Sequence, residues 1–252
     1  MRYTHKHQCQ VNQIVQQSGA VKTTLLESGL PLSEHVYREL RKAIVGCTFE
    51  PGERLRVEEL TRRFGVSSSP VREALNRLAE QGIVLTLENR GFRVASLTSE
   101  GVEDLVRVRL LVECEALRES IKLGDDAWEA SVVAAAHALG LVERRVGDGP
   151  LALDDDWSAR HRAYHQSLYA ACGSDILRDM VALLFDRAEH YRRWAARHRK
   201  GPRRKHDEHQ KLMAAALARD VDKAVELLRR HISRTGEIVS AVLNGAPPEW
   251  VQ

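Results

Sequence analysis

The sequence predicts a mostly α-helical protein in two parts: an N-terminal winged helix-turn-helix and a C-terminal all-helical bundle of six or seven helices. Two observations lead there. Over residues 31–97 the apolar pattern runs through three short helical periods and then two short strand-like runs. From residue 98 to 243 it is helical throughout, broken at Gly124, around Gly147–Pro150, at Gly173 and at Gly201-Pro202. That is the layout of a bundle rather than a sheet protein.

The elements follow in order. Residues 1–30 are polar, rich in Gln, Ser and Thr, and without a sustained period, which predicts a mobile extension. Ser33 is placed to cap a first helix that carries Val36, Leu40 and Ile44 on one side. Pro51-Gly52 make a turn. A second helix sets Val57, Leu60 and Phe64 on one face, with Glu58 and Glu59 in its first turn and Gly65 at its end. In the third, Pro70 falls in the tolerant first turn, and Val71, Ala74, Leu75 and Leu78 share a face. Two strands joined at Asn89-Arg90-Gly91 complete the unit. Ala95–Glu100 reads as a linker, and residues 244–252 as a C-terminal tail.

Composition narrows the class. The 252 residues suffice for two ordinary domains, and 43% hydrophobic with 29% charged residues is a globular balance. No apolar run approaches the roughly 18 residues of a membrane span, and the first residues lack a secretory pattern, which predicts a cytoplasmic protein. Cys9, Cys47, Cys114 and Cys172 are scattered, with no CxxC pair, and Cys47 and Cys114 fall in apolar helical patterns. A net charge of +3 is too slight to argue for nucleic acid by itself.

The third helix makes that argument. With its apolar face turned inward, Ser69, Arg72 and Asn76 share the other side. Arg suits guanine, Asn suits adenine, and Ser hydroxyls or helix-start amides suit phosphate. The tip at Arg90 and Gly91 would lie near the backbone or minor groove, where Gly permits close approach. A solvated helix face fits the same pattern, since residues 33–97 hold 11 Lys and Arg against 9 Asp and Glu.

The stretch LRVEELTRRFGVSSSPVREALNRLAEQGIV…NRGFRV resembles the DNA-binding domain of the GntR family of bacterial regulators. The resemblance implies a double-stranded operator read by Ser67, Ser68, Ser69, Arg72, Asn76, Arg90 and Gly91. Many members carry Arg where this chain has Ser68, which implies one lost contact and a different operator.

Histidine is the second signal. His161 and His165 are four apart on a helical pattern, His209 follows 44 residues on, and His231 a further 22. An i, i+4 pair plus single histidines on neighbouring helices can build a metal site in a bundle, and neutral imidazoles favour zinc, nickel, copper or iron over magnesium or calcium. Periodicity leaves open whether the four meet. Residues 99–241 further resemble the all-helical FCD domain of the FadR branch, which implies a divalent transition metal held by His161, His165, His209 and His231, with zinc first and nickel or iron behind it. The branch usually has Asp where this chain has His161, so one negative charge is missing. A small organic acid as effector, a homodimer and a pseudo-palindromic operator are also implied, with repression the usual mode.

The branch's Arg-x-x-x-Glu matches Arg109 and Glu113, which implies a carboxylate clamp at Arg109; an ion pair between the two is the alternative. The segment LGDDAWEASVVAAAHAL resembles a subgroup that responds to five-carbon dicarboxylates. Two other functions compete: a metal sensor in which the ion is itself the signal, and a metal-dependent hydrolase. For the hydrolase only Glu208 offers a base, and no nucleophile elbow or phosphate loop is present.

Overall fold

The computed structural model describes residues 31–88, 91–145, 155–198 and 208–245. The chain divides into two compact units between Ser96 and Leu97. The predicted extension over residues 1–30, the tip residue Arg90, the breaks around Gly147–Pro150 and Gly201-Pro202, and the tail after Gly245 lie outside the described residues.

In the first unit α1 spans Leu32–Val45, α2 Val57–Phe64 and α3 Ser68–Glu80; β1 is Arg54–Leu55, β2 Val84–Leu87 and β3 Gly91–Val94. One core joins Val36, Leu40 and Ile44 of α1 to Val71, Leu75 and Leu78 of α3. The helix begins earlier than Ser33 implied. Pro31 is the N-cap, its carbonyl accepting from the Glu34 and His35 amides at 3.0 and 3.1 Å, so Ser33 lies within the first turn and caps nothing. Cys47 is not helical as its apolar neighbours suggested. It sits past the end of α1 at φ 53, buried in the turn.

The strands form a three-stranded antiparallel sheet in the order β1-β3-β2, with Phe92 opposite both Leu55 and Thr86. Sequence periodicity has no purchase on β1, because two residues cannot display alternation. It becomes a strand by pairing with β3, where Phe92 and Val94 face the core and Arg93 faces out.

In the second unit α4 spans Ser99–Leu123, α5 Asp126–Arg145, α6 Asp155–Leu168, α7 Asp175–His198, α8 Glu208–Leu217 and α9 Val221–Leu243. Thr98 caps α4, its Oγ1 accepting from the Gly101 amide at 3.0 Å, and Asp220 caps α9 through the Lys223 amide at 3.1 Å. Both α7 and α9 pack along α4, while α5 packs on α6. Leu117, Ile121, Leu139, Tyr164, Leu168 and Leu228 fill the common core. No helix among the described residues is long and apolar enough to cross a membrane.

α2 stops at Gly65 because the chain turns left-handed there, at φ 64, while its amide bonds the Thr61 carbonyl. Nothing lies within 4 Å of where a Cβ would project. Gly65→Ala therefore carries a backbone cost without a clash, on the order of 1–2 kcal/mol. A urea transition with an unchanged slope and a lowered midpoint is the expected result.

Candidate functional site

The outer face of α3 carries the predicted DNA contacts. Ser67 is its N-cap, and Ser67, Ser68, Ser69, Arg72 and Asn76 are all exposed, while Val71, Ala74, Leu75 and Leu78 are buried beneath them. Arg77, one position beyond Asn76, is not available to a ligand in the same way. Its guanidinium bonds Glu34 of α1 at 2.8 Å and lies 4.0 Å over the Tyr37 ring. That ion pair holds the Glu34 carboxyl below its ordinary range. Gly91 opens β3 at φ 89, a conformation that favours glycine.

In the second unit the four predicted histidines come together. His161 and His165 project from α6, His209 from the first turn of α8 and His231 from the middle of α9. One ring nitrogen of each lies within 4.8 Å of the others. The Nε2 atoms of His161 and His165 are 3.1 Å apart. Burial, together with the other imidazoles and the nearby Arg192, holds His161 and His165 well below the usual histidine pKa. His231 is pushed down to about 4, again mainly by burial, against the pull of Glu208. These rings are therefore neutral near pH 7, the form that binds a metal ion.

The surroundings fit such an ion. His209 Nε2 is buried without a hydrogen-bond partner, and Nε2 of His161 and of His165 meet each other. Glu208 lies 2.9 Å from His231 Nδ1 and Glu143 lies 3.5 Å from His209 Nδ1, which leaves Nε2 of each ring for the metal. Four nitrogens at about 2.0–2.1 Å from one ion are at most about 4.2 Å apart, so the cluster needs only a small closing. All four donors are nitrogen, a set suited to zinc, nickel or iron rather than calcium or magnesium.

Arg109 makes the ion pair with Glu113 that its spacing allowed. The pair is bidentate, at 2.5 and 3.2 Å, and buried, and the Tyr169 hydroxyl donates to the same carboxylate at 2.8 Å. Its charge still reaches His165 and His231. Glu208 is tied to His231 and to Arg234, both at 2.9 Å, and these partners hold it down to about 2. A carboxylate held that low is poorly suited to act as a general base near neutrality.

Three neighbours of the cluster escaped sequence reasoning. The Trp157 ring stacks on His161 at 4.4 Å, Phe185 lies 5.5 Å from His161, and Arg192 sits 4.4 Å over Phe185 while its Nε and Nη2 both donate to one oxygen of Glu189. Trp157 precedes His161 by four residues on the same helix, so a period-four reading could have found it. Phe185 and Arg192 lie on α7 and carry no such signal.

Residues 32–94 match the bacterial regulatory proteins of the gntR family, and residues 104–234 match the FCD domain. The chain is 38% identical to the HTH-type transcriptional regulator BphR of Paraburkholderia xenovorans over 82% of its length and 85% of that protein. To the HTH-type transcriptional repressor GlaR of Escherichia coli it is 37% identical, over 83% of this chain and 96% of that one. The fold is shared with E. coli McbR/YncC at TM-score 0.65 and 20% identity, over 83% of this chain and 97% of the other.

His190 on α7 stands outside the histidine cluster. It is buried, its Nε2 has no partner, and burial alone lowers it to about 4. A group whose folded pKa lies below its unfolded value contributes its stability in full above pH 6.5 and loses it as pH falls from there toward 4. The loss is on the order of 3 kcal/mol. His190→Leu is expected to flatten the fall in urea stability between pH 6.5 and about 4 by that order, measured as a pH series on both proteins.

Proposed function

Because this chain belongs to the GntR family of bacterial regulatory proteins, with an FCD domain behind its winged helix-turn-helix, we propose that it is a dimeric repressor released from its operator by a small organic acid bound beside a metal ion. It is a DNA-binding transcriptional regulator; its family and its relatives are regulators, not enzymes. The repressor reading draws on the likeness to GlaR, which is named a repressor.

The observation that carries the effector reading is the buried meeting of His161, His165, His209 and His231. A divalent ion held by four neutral imidazoles keeps its full charge and offers it to a carboxylate. Glu208 and Glu143 orient the His231 and His209 rings. Arg109, fixed by Glu113, adds a positive field beside them and is the carboxylate partner on the protein side. The effector class is a small mono- or dicarboxylate, with five-carbon dicarboxylates the first to try. Each subunit sets α3 into one half-site, and effector binding shifts the population away from the DNA-competent arrangement.

Thermal-shift screening of metal-loaded protein against mono- and dicarboxylates tests this. One acid should raise the Tm in proportion to the logarithm of its concentration, and His209→Ala should abolish the rise. A shift with metal alone that also changes DNA affinity, with none from any acid, would instead make the ion the signal.

The DNA-facing reading is checked separately. Operators recovered by selection from random duplexes should be pseudo-palindromic, and Arg72→Ala should weaken their binding by roughly 10- to 100-fold while leaving metal affinity unchanged.

A further inference from the structure

α7 runs from the histidine cluster to the start of α4. At the cluster, Phe185 lies 5.5 Å from the His161 ring and 5.6 Å from the His165 ring. Polar ties fasten the same stretch to α6, the helix that carries both histidines. Arg162 bonds Asp186 at 3.3 Å, and Arg193 bonds Asp155 at 2.7 Å and Ser158 at 3.1 Å. Asp155 and Ser158 precede the histidine pair and Arg162 lies within it, so α6 cannot shift far here without taking α7 along.

Six residues beyond Phe185, about 9 Å along the helix axis, Tyr191 meets the first turn of α4. A Cβ built on Gly101 would fall 2.4 Å from the Tyr191 hydroxyl oxygen, so the hydroxyl rests where only glycine leaves room. The same hydroxyl shares a hydrogen bond with the Thr98 main chain, and Thr98 caps this turn. Val102 of α4, Ala195 of α7 and Val239 of α9 close a small buried cluster beside it, with Tyr191 and Trp194 packed on its edge. Thr98 and Gly101 follow directly on the division between the two units at Ser96 and Leu97.

We infer that α7 is a coupling rod between the histidine cluster and the entry of α4, with Tyr191 seated on Gly101 as the contact that carries the state of the cluster to the chain leading into the DNA-binding unit. This rests on the metal reading above. One ring nitrogen of each histidine lies within 4.8 Å of the others, against the roughly 4.2 Å at most that one ion allows, so capture acts on the packing of α6 against α8 and α9, the helices that carry the rings. A helix tied at two points responds as a body, because close-packed interiors shift between discrete arrangements rather than deform smoothly.

Hydrogen exchange of the amides over residues 97–103 in the full chain tests the coupling, with Ni2+ alone as the probe. Quenching of tryptophan fluorescence, expected because Trp157 stacks on His161, records binding in the same samples. In the wild type, Ni2+ should change exchange over 97–103 by about fivefold or more. In Tyr191→Phe and Gly101→Ala, Ni2+ should quench with the same affinity while the Ni2+-dependent change falls below about twofold.

A purely structural tyrosine would give a different pattern. Exchange would rise in both states and the Ni2+-dependent difference would survive, and that result would overturn the inference. Quenching without any exchange change in the wild type would overturn it too. No quenching in the wild type would overturn the metal reading and the coupling with it, so fluorescence tells the two failures apart.

Discussion

Burial holds the imidazoles of His161, His165 and His231 uncharged near neutrality where they share one volume with His209, and the helical unit is organised around that condition. Bringing even one imidazolium into this interior would set an unpaired charge among three close rings, at a cost of several kcal/mol. The charges that do lie nearby have opposite partners, Arg193 meeting Asp155 as well as Glu189. Arg109 is matched by Glu113, and Arg192 and Arg193 share Glu189. The two carboxylates nearest the rings, Glu208 and Glu143, approach from the Nδ1 side and leave the centre of the cluster free of negative charge. An ion with two positive charges would therefore be the main uncompensated charge in the core, which is the physical reason to look for an anionic ligand rather than a neutral one.

How much of this was legible in the sequence depends on the range of the contact. The helical periods of α1, α2 and α3 were visible because each buries a face that repeats within its own segment. The i, i+4 placement of His161 and His165 was visible for the same reason. That His209 and His231 join them is a tertiary fact, suggested by family resemblance and not by spacing. β1 escaped because a two-residue strand exists only through its partner.

Local capping misled in one place. Ser33 has the right chemistry for a cap, yet Pro31 accepts the first helical bonds two residues earlier, so position overrode propensity. Phe185, Arg192 and Tyr191 were invisible for a further reason: an aromatic or an arginine on a long helix has many possible neighbours, and only the packing of α7 on α4 and α6 selects among them.

The clamp between Arg77, Glu34 and Tyr37 has a consequence for how this protein can change over generations. It fixes α3 to α1 from the side, while Val71, Ala74, Leu75 and Leu78 fix it from below, so Ser69, Arg72 and Asn76 lie exposed and outside these contacts. On the DNA reading proposed above, substitutions at those three places alter which base pairs are preferred without loosening the scaffold. A duplicated copy of the gene could thus drift toward other DNA sites in single steps, and keep its helical half unchanged.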